Sequence, residues 1–283
     1  MIPKYPIFIP SKGRHDSRFT MKMFDEFGFY YTVVIEEQEY EKYAAVIDPS
    51  KLLILPFSNK GLTTTRNWIW DYAESLGVKK FWTFDDNIRG IYRINRNLNV
   101  PCSTGVPIPI IEKFIDRFEN VGVAGMNYFM FIPRKDKIPP YTVNTRVYSN
   151  MLLNTKEKNP DGTPFRNNLK YNDDTDLNIR MLKKGSCTIQ FNAFNVDKAT
   201  TMTTKGGITE SYKKMESRKA ISQLLVDAHP DCAKVVWKFD RWHHHVEYGK
   251  WKKNRLIKKP GIVVSEGINN YGMKLVKIKE ENK

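Results

Sequence analysis

The sequence predicts an α/β fold with a mostly parallel sheet covered by helices on both faces, and three observations predict it. Within the first 87 residues, apolar strand-like runs and helical patterns alternate about three times with short connections, the rhythm of strand–helix–strand units. Each apolar run stops at a polar or charged cluster, as strands do where they enter a turn. The chain has 283 residues, 41% hydrophobic and 13% aromatic. That is enough to bury a large core, and it excludes a disordered protein.

Pro6-Ile7-Phe8-Ile9-Pro10 reads as a short buried strand running into Ser11-Lys12-Gly13-Arg14, a turn with two cations. Phe19, Met23, Phe24 and Phe27 fall at helical spacing, closed by Gly28. Residues 31–35 form a second strand ending at Glu36-Glu37; residues 38–46 suit a helix, and Leu52-Leu53-Ile54-Leu55 a third strand. After Ser58-Asn59-Lys60-Gly61 comes a helix whose apolar face is Leu62, Thr65, Ile69, Tyr72, Ala73 and Leu76. It leads to a fourth strand, Phe81-Trp82-Thr83-Phe84, stopped by Asp85-Asp86-Asn87. Residues 89–109, rich in Asn, Pro and Gly, predict an irregular segment over the sheet edge. A helix is expected over 110–120, strands over 121–132 and 147–153, and a turn at Asn159-Pro160-Asp161-Gly162. Asn172-Asp173-Asp174-Thr175-Asp176 opens a further helix ended by Gly185. Residues 200–210 predict a mobile loop, 212–228 a helix, 233–239 a strand, and the chain closes on Arg241-Trp242-His243-His244-His245 and a basic segment. The expected division is a domain over 1–231 with a basic segment, 232–283, packed on it.

The loops after strands one, two and four all open on one sheet edge, where open α/β sheets bind ligands. Cations, an acid and hard oxygen ligands collected there suit a nucleoside diphosphate with Mg²⁺ or Mn²⁺. Taken alone, Asp85-Asp86-Asn87 reads equally as an Asx-rich turn that stops a strand. Asp173, Asp174 and Asp176 read equally as the acidic first turn that any helix favours. His243 and His245 share one face of an extended segment while His244 points to the other, either toward a metal or as part of a surface patch. Cys102, Cys187 and Cys232 are odd in number and widely spaced, which fits neither a disulfide framework nor a zinc pair. The longest apolar runs are too short for a bilayer span and the N-terminus lacks a signal-peptide pattern, so a cytoplasmic protein without a membrane role is expected. Net charge is +15 and the pI is near 9.5, with a dense run at Lys250, Lys252, Lys253, Arg255, Lys258 and Lys259 around the aromatic Trp251. Such a surplus favours DNA or RNA as partner, set against a plain solvated lysine face.

These motifs resemble those of the GT-A fold glycosyltransferases. In that family a first strand leads into a Pro-x-x-x-Arg turn, here Pro10 to Arg14. An Asn-x-Gly-x-x-x-x-Arg-Asn segment, here Asn59 to Asn67, precedes an Asp-x-Asp motif. The resemblance implies a Rossmann-like, mostly parallel sheet flanked by helices. It also implies a nucleotide-sugar donor, with a lean to UDP, bound by Pro10, Ser11, Lys12, Arg14, Glu36, Asn59, Arg66, Asn67, Asp85, Asp86 and Asn87. A divalent cation would be held by Asp85, Asn87, His243 and His245. Asn87 stands where the family has Asp, and a carboxamide is the weaker ligand. Asp173-Asp174-Thr175-Asp176-Leu177 matches the family's Glu-Asp-x-Asp-Leu and makes Asp174 the candidate base. More narrowly, Phe84-Asp85-Asp86-Asn87, Asn172 to Leu177, Lys205-Gly206-Gly207 and Arg241 to Tyr248 are similar to the phage glycosyltransferases associated with TET/JBP-type base oxidation. Those enzymes decorate hydroxymethylated pyrimidines in DNA. Double-stranded DNA is then the expected acceptor, the basic run its phosphate contacts, and no obligate protein partner is called for. A polysaccharide or protein acceptor, or a non-catalytic DNA-binding protein on the same scaffold, are the alternatives.

Overall fold

The computed structural model describes residues 1–262 except 96, 133–134, 136–137, 158–163, 170 and 200–217. Strands β1 (Ile7–Pro10), β2 (Thr32–Ile35), β3 (Leu52–Ile54) and β4 (Lys80–Phe84) lie parallel in the order β3-β2-β1-β4. Between them run helices α1 (Phe19–Glu26), α2 (Tyr40–Ala44) and α3 (Leu62–Ser75). Because successive strand residues point to opposite faces, the sheet feeds two cores. Ile7, Ile9, Val33, Ile35, Trp82 and Phe84 pack with Phe24 of α1 and with Ile108, Ile111 and Ile115 of α4 (Pro107–Ile115). Phe8, Val34 and Phe81 pack with Ile69 and Trp70 of α3 and with Leu177 and Met181 of α5 (Asp173–Lys183). Helices therefore cover both faces, as the sequence predicts.

Beyond β4 the sheet becomes mixed. Strand β9 (Asn150–Asn154) pairs antiparallel with both β4 and β7 (Val121–Tyr128). The twelve-residue β10 (Cys187–Lys198) runs parallel to β7. Residues 89–109, predicted irregular, instead supply β5 (Ile88–Asn95), β6 (Leu98–Pro101) and the start of α4. Strand β5 pairs with β10, and β6 completes the edge. Only Ile88 and Ile91 of β5 are buried, and exposed Arg89, Arg93 and Asn95 interrupt the apolar pattern that marks a strand. Helix α4 begins earlier than expected, with Pro107 and Pro109 in its first turn, where a missing N–H costs nothing. Strand β8 (Tyr141–Val143) and β10 are not evident in the sequence. Strand β10 hides its character in Asn192 and Asn195, buried side chains paired with Asn127 and Asn99 at 3.0 Å each.

The C-terminal part packs on this body. Helix α6 (Arg218–Ala228) and a hairpin of β11 (Ala233–Lys238) and β12 (Arg241–Val246) close a third core. It contains Ile179, Leu182, Leu225, Cys232, Ala233, Val246 and Trp251. The expected 159–162 turn, the 200–210 loop and the first part of the 212–228 helix lie outside the described residues. Among those described, no helix is long and apolar enough to cross a membrane.

Candidate active site

The loops after β1, β2 and β4 meet on the carboxyl edge of the parallel strands and are tied together by side chains. At the end of β1, past Pro10, Ser11 Oγ lies 2.7 Å from both Asp86 Oδ2 and Tyr43 Oη. Arg14 donates to Asp86, a buried pair that locks the first loop against the fourth. Lys12 Nζ reaches Glu36 Oε2 and Asn59 Oδ1, each at 2.6 Å, and Glu36 Oε1 accepts from the Asn59 N–H at 2.9 Å. The Lys12 side chain is 41% exposed, which leaves this cation open to a ligand.

Gly61 takes φ 86° immediately before α3, a left-handed conformation natural to glycine, and the turn brings Arg66 under the edge. The buried Arg66 guanidinium bridges Asp173 Oδ2 at 2.8 Å and Asp85 Oδ1 at 3.0 Å. Asn67 instead clamps a neighbouring loop, donating to Phe165 O and accepting from Phe165 N, both at 2.8 Å.

The three acids of α5 have different surroundings. Burial, reinforced by Asp174 and only partly opposed by Arg66, pushes Asp173 up to about 6. Asp176 is fully buried and accepts from Arg166, from Arg180 Nε at 2.9 Å and from His229 Nε2 at 2.8 Å. Burial alone would raise its pKa, but His229 and the two arginines hold it below the usual carboxylate range. Asp174 is only half-buried; its Oδ1 accepts from Thr175 N at 2.6 Å and Thr175 Oγ1 at 3.2 Å. Among the described residues Asp174 Oδ2 has no hydrogen-bond partner, and Asp174 is the one of the three acids that is not fully buried, so its carboxylate keeps an oxygen open to another molecule.

Residues outside the sequence motifs complete the cluster. Lys198 Nζ lies 2.7 Å from Asp85 Oδ2 and 2.7 Å from Ser149 Oγ, and Ser149 donates to Asp85 Oδ2 at 2.6 Å. Burial works against the charge of Asp85, but Lys198 and Arg66 outweigh it and hold the carboxyl far below its ordinary value. The Lys198 ammonium also touches Tyr128 Oη, 3.2 Å away, and Tyr128 packs edge-on against Tyr148 with ring centroids 4.3 Å apart. Arg146 stacks 4.2 Å over Tyr148, within Coulombic reach of Asp174, and its Nη1 lies 3.3 Å from His244 Nε2. Burial and Arg146 hold His244 down to about 4, so it is neutral at pH 7 and accepts from Arg146. Nothing in the sequence announces Lys198, because its placement depends on a bulge, a register shift between Asp197 and Lys198. Bulges of this kind re-aim side chains next to sites.

The expected histidine pair lies elsewhere. Buried Ala233 and Val246 mark the inner face of the hairpin, and pairing of Val235 with His244 puts His244 on that same face. His243 and His245 share the outer face as the alternation predicts; His243 Nε2 accepts from Arg241 Nε at 2.9 Å and His245 is exposed. A divalent cation at Asp85 therefore lacks donors in this arrangement. Both Asp85 oxygens face cations, Asp86 is committed to Arg14, and only Asn87 Oδ1 is buried without a partner. A lone carboxamide oxygen beside an ammonium and a guanidinium does not suit a hard dication. His229, Asp231 and Cys232 bring ligand atoms within 4.8 Å of one another. However, His229 Nε2 is bound to Asp176, and Asp231 to Lys183 at 2.6 Å.

In the basic run, Lys252, Lys253, Arg255 and Lys258 are exposed, Lys259 is half-buried, and Lys250 is turned toward Asp231 O and Glu247. Trp251 is buried in the third core and is not a surface aromatic. Asn254 pins the run by donating to Leu182 O and Ser186 O, at 2.8 and 3.0 Å. Lys252 and Arg255 line a groove of about 460 Å³ with Val143, Asn144, Asn254 and Leu256; it shares no residue with the Asp85 cluster.

Comparisons with known proteins bear on this arrangement. A nucleotide-diphospho-sugar transferase from Desulfovibrio desulfuricans G20 is similar to 80% of this chain over 96% of its own, with 12% identity and a TM-score of 0.41. Apo UDP-glucose pyrophosphorylase is similar over 70% of this chain and 92% of its own, with 12% identity and a TM-score of 0.38. No curated protein matches the sequence. Residues 5–207 match the family described as TET-Associated Glycosyltransferase, a span that takes in every motif from Pro10 to Leu177. The chain belongs to that family of glycosyltransferases.

Proposed function

We propose that the protein transfers a sugar from a nucleotide-sugar, with a UDP-sugar as donor, to the hydroxyl of 5-hydroxymethylated pyrimidines, 5-hydroxymethylcytosine foremost, in double-stranded DNA. The observation that carries this reading is the contrast within α5: Asp173 and Asp176 are buried and paired with arginines, while the half-buried Asp174 presents an open oxygen beside the Asp85 cluster. A primary hydroxyl is a poor nucleophile near neutral pH, and a carboxylate within hydrogen-bond reach removes that obstacle. Asp174 accepts the hydroxyl proton as the acceptor oxygen bonds to the anomeric carbon and the bond from that carbon to the diphosphate breaks, with inversion. The departing diphosphate gains charge, which preorganised cations stabilise. Lys198, Arg66 and the accessible Lys12 are those cations in this fold. The DNA acceptor follows from the motif resemblance to glycosyltransferases associated with TET/JBP-type base oxidation and is supported by the +15 charge, since an enzyme working on a duplex needs phosphate contacts.

The test is to incubate the protein with hydroxymethylated duplex DNA and a panel of UDP-sugars, then to weigh the digested nucleosides. The proposal expects a hydroxymethyl nucleoside heavier by one sugar residue and no change in unmodified DNA. Transfer to an oligosaccharide, with the DNA left untouched, would overturn the acceptor assignment.

A further inference from the structure

The β11–β12 hairpin ends in a two-residue connection, Phe239-Asp240, closed by the pair Lys238 and Arg241. Both connecting residues have left-handed backbone, φ 53° and 54°, as in the type I′ turn that Asn-Gly or Asp-Gly normally fills. A bulky aromatic adopts that conformation only under strain. Burial does not compensate Phe239, which is 77% exposed, and Trp237 just below it is 58% exposed. Apart from an edge-on contact with His243, centroids 6.3 Å apart, and the neighbouring Lys238, folding gains little from an aromatic at this tip. A partner that covers it would gain more.

The arm is stiff and cationic. Trp237 and Trp242 face each other across the strands, centroids 5.2 Å apart at 74°, and Lys219 of α6 lies 4.9 Å over Trp242. Lys238 stands 5.3 Å from the Phe239 ring, and Lys234 and Arg241 lie along the same strands. At its root, His244 touches Arg146, which leads through Tyr148 and Tyr128 to Lys198 and Asp85. A flat apolar ring on a strained tip, rimmed by cations and rooted beside the candidate catalytic carboxylate, is complementary to stacked bases between phosphates.

We propose that this hairpin is a wedge for duplex DNA. Phe239 inserts into the base stack, Lys238 and Arg241 hold flanking phosphates, and the unstacked hydroxymethylated base leaves the duplex for Asp174. Enzymes that act on a base commonly take it out of the stack in this way. The wedge rests on the DNA acceptor proposed above, and its test separates the two.

Phe239→Gly removes the ring and relieves the left-handed strain, so the thermal midpoint of the variant should not fall. Transfer to hydroxymethylated duplex and to the same single strand is compared for wild type and variant, with 2-aminopurine beside the target base reporting unstacking. The wedge expects the duplex-to-single-strand rate ratio to fall about tenfold or more in the variant, with loss of the 2-aminopurine signal that wild type gives. An unchanged ratio and signal would overturn it. Wild-type transfer to single strands alone would overturn the wedge and the duplex as acceptor, and leave hydroxymethylated DNA as the substrate class. Wild-type transfer to neither would overturn the acceptor reading and the wedge with it.

Discussion

At Asp85 one carboxylate faces two cations, Lys198 at 2.7 Å and Arg66 at 3.0 Å. Arg66 pairs with Asp173 as well, and we propose that the Lys198 ammonium meets the donor diphosphate where the motif implies a divalent cation. Lys198→Met should weaken UDP binding roughly ten- to a hundredfold, as removal of one charge-assisted hydrogen bond costs about 1.5–3 kcal/mol. A chelator should leave wild-type UDP affinity unchanged. Titration calorimetry with and without chelator checks both; affinity that vanishes with chelator and returns with Mn²⁺ would contradict this account of the site. The sequence shows half of this cluster. Ser11, Lys12, Arg14, Glu36, Asn59, Arg66 and Asp85 are legible because each closes a strand or sits in a recognisable segment. Lys198, Ser149 and Arg146 are not, because their roles depend on a bulge and on strand approaches far along the chain.

Among the elements, the first four strands and their helices follow from local apolar runs, and the structure reproduces them. The second half of the sheet does not follow, since β5 has a polar outer face and β10 buries Asn192 and Asn195, whose amides pair with asparagines of other strands. Alternation correctly groups His243 with His245, but which face is inward depends on the core formed with α6, which periodicity does not encode. The junction of β1 with α4 provides a stability prediction. Asp116 accepts from Lys4 Nζ at 2.6 Å, Lys80 Nζ at 2.8 Å and Tyr5 Oη at 2.5 Å. Burial would raise it, but these three hydrogen bonds hold it down to about 2. Its folded value lies below the unfolded one, so its contribution is complete above about pH 4 and lost as pH falls through about 2. The urea midpoint should drop over that window by the equivalent of about 1–2 kcal/mol, on the scale expected for a partly exposed pair. Asp116→Asn should be less stable at pH 7 and lack that part of the acid dependence. An identical acid profile in the variant would contradict the assignment.

For the whole molecule, the +15 charge is legible from composition, but its distribution is not. Burial of Trp251 removes the aromatic that the basic run offers in sequence and leaves Lys250, Lys252, Lys253, Arg255 and Lys258 as its exposed cations. If these follow DNA phosphates, reversing them should flatten the slope of log affinity against log salt by about 0.9 for each phosphate no longer neutralised. An unchanged slope would make them a solvated face. The central claim concerns Asp174, and single-turnover transfer to hydroxymethylated duplex tests it most directly. Asp174→Asn should keep UDP and DNA affinity and wild-type stability, yet lose rate by about 10²–10⁴-fold. Asp176→Asn, which breaks a buried ionic network, should instead lose about 3–5 kcal/mol of stability. Near-normal transfer by the Asp174 variant, or a product with retained anomeric configuration, would contradict the account.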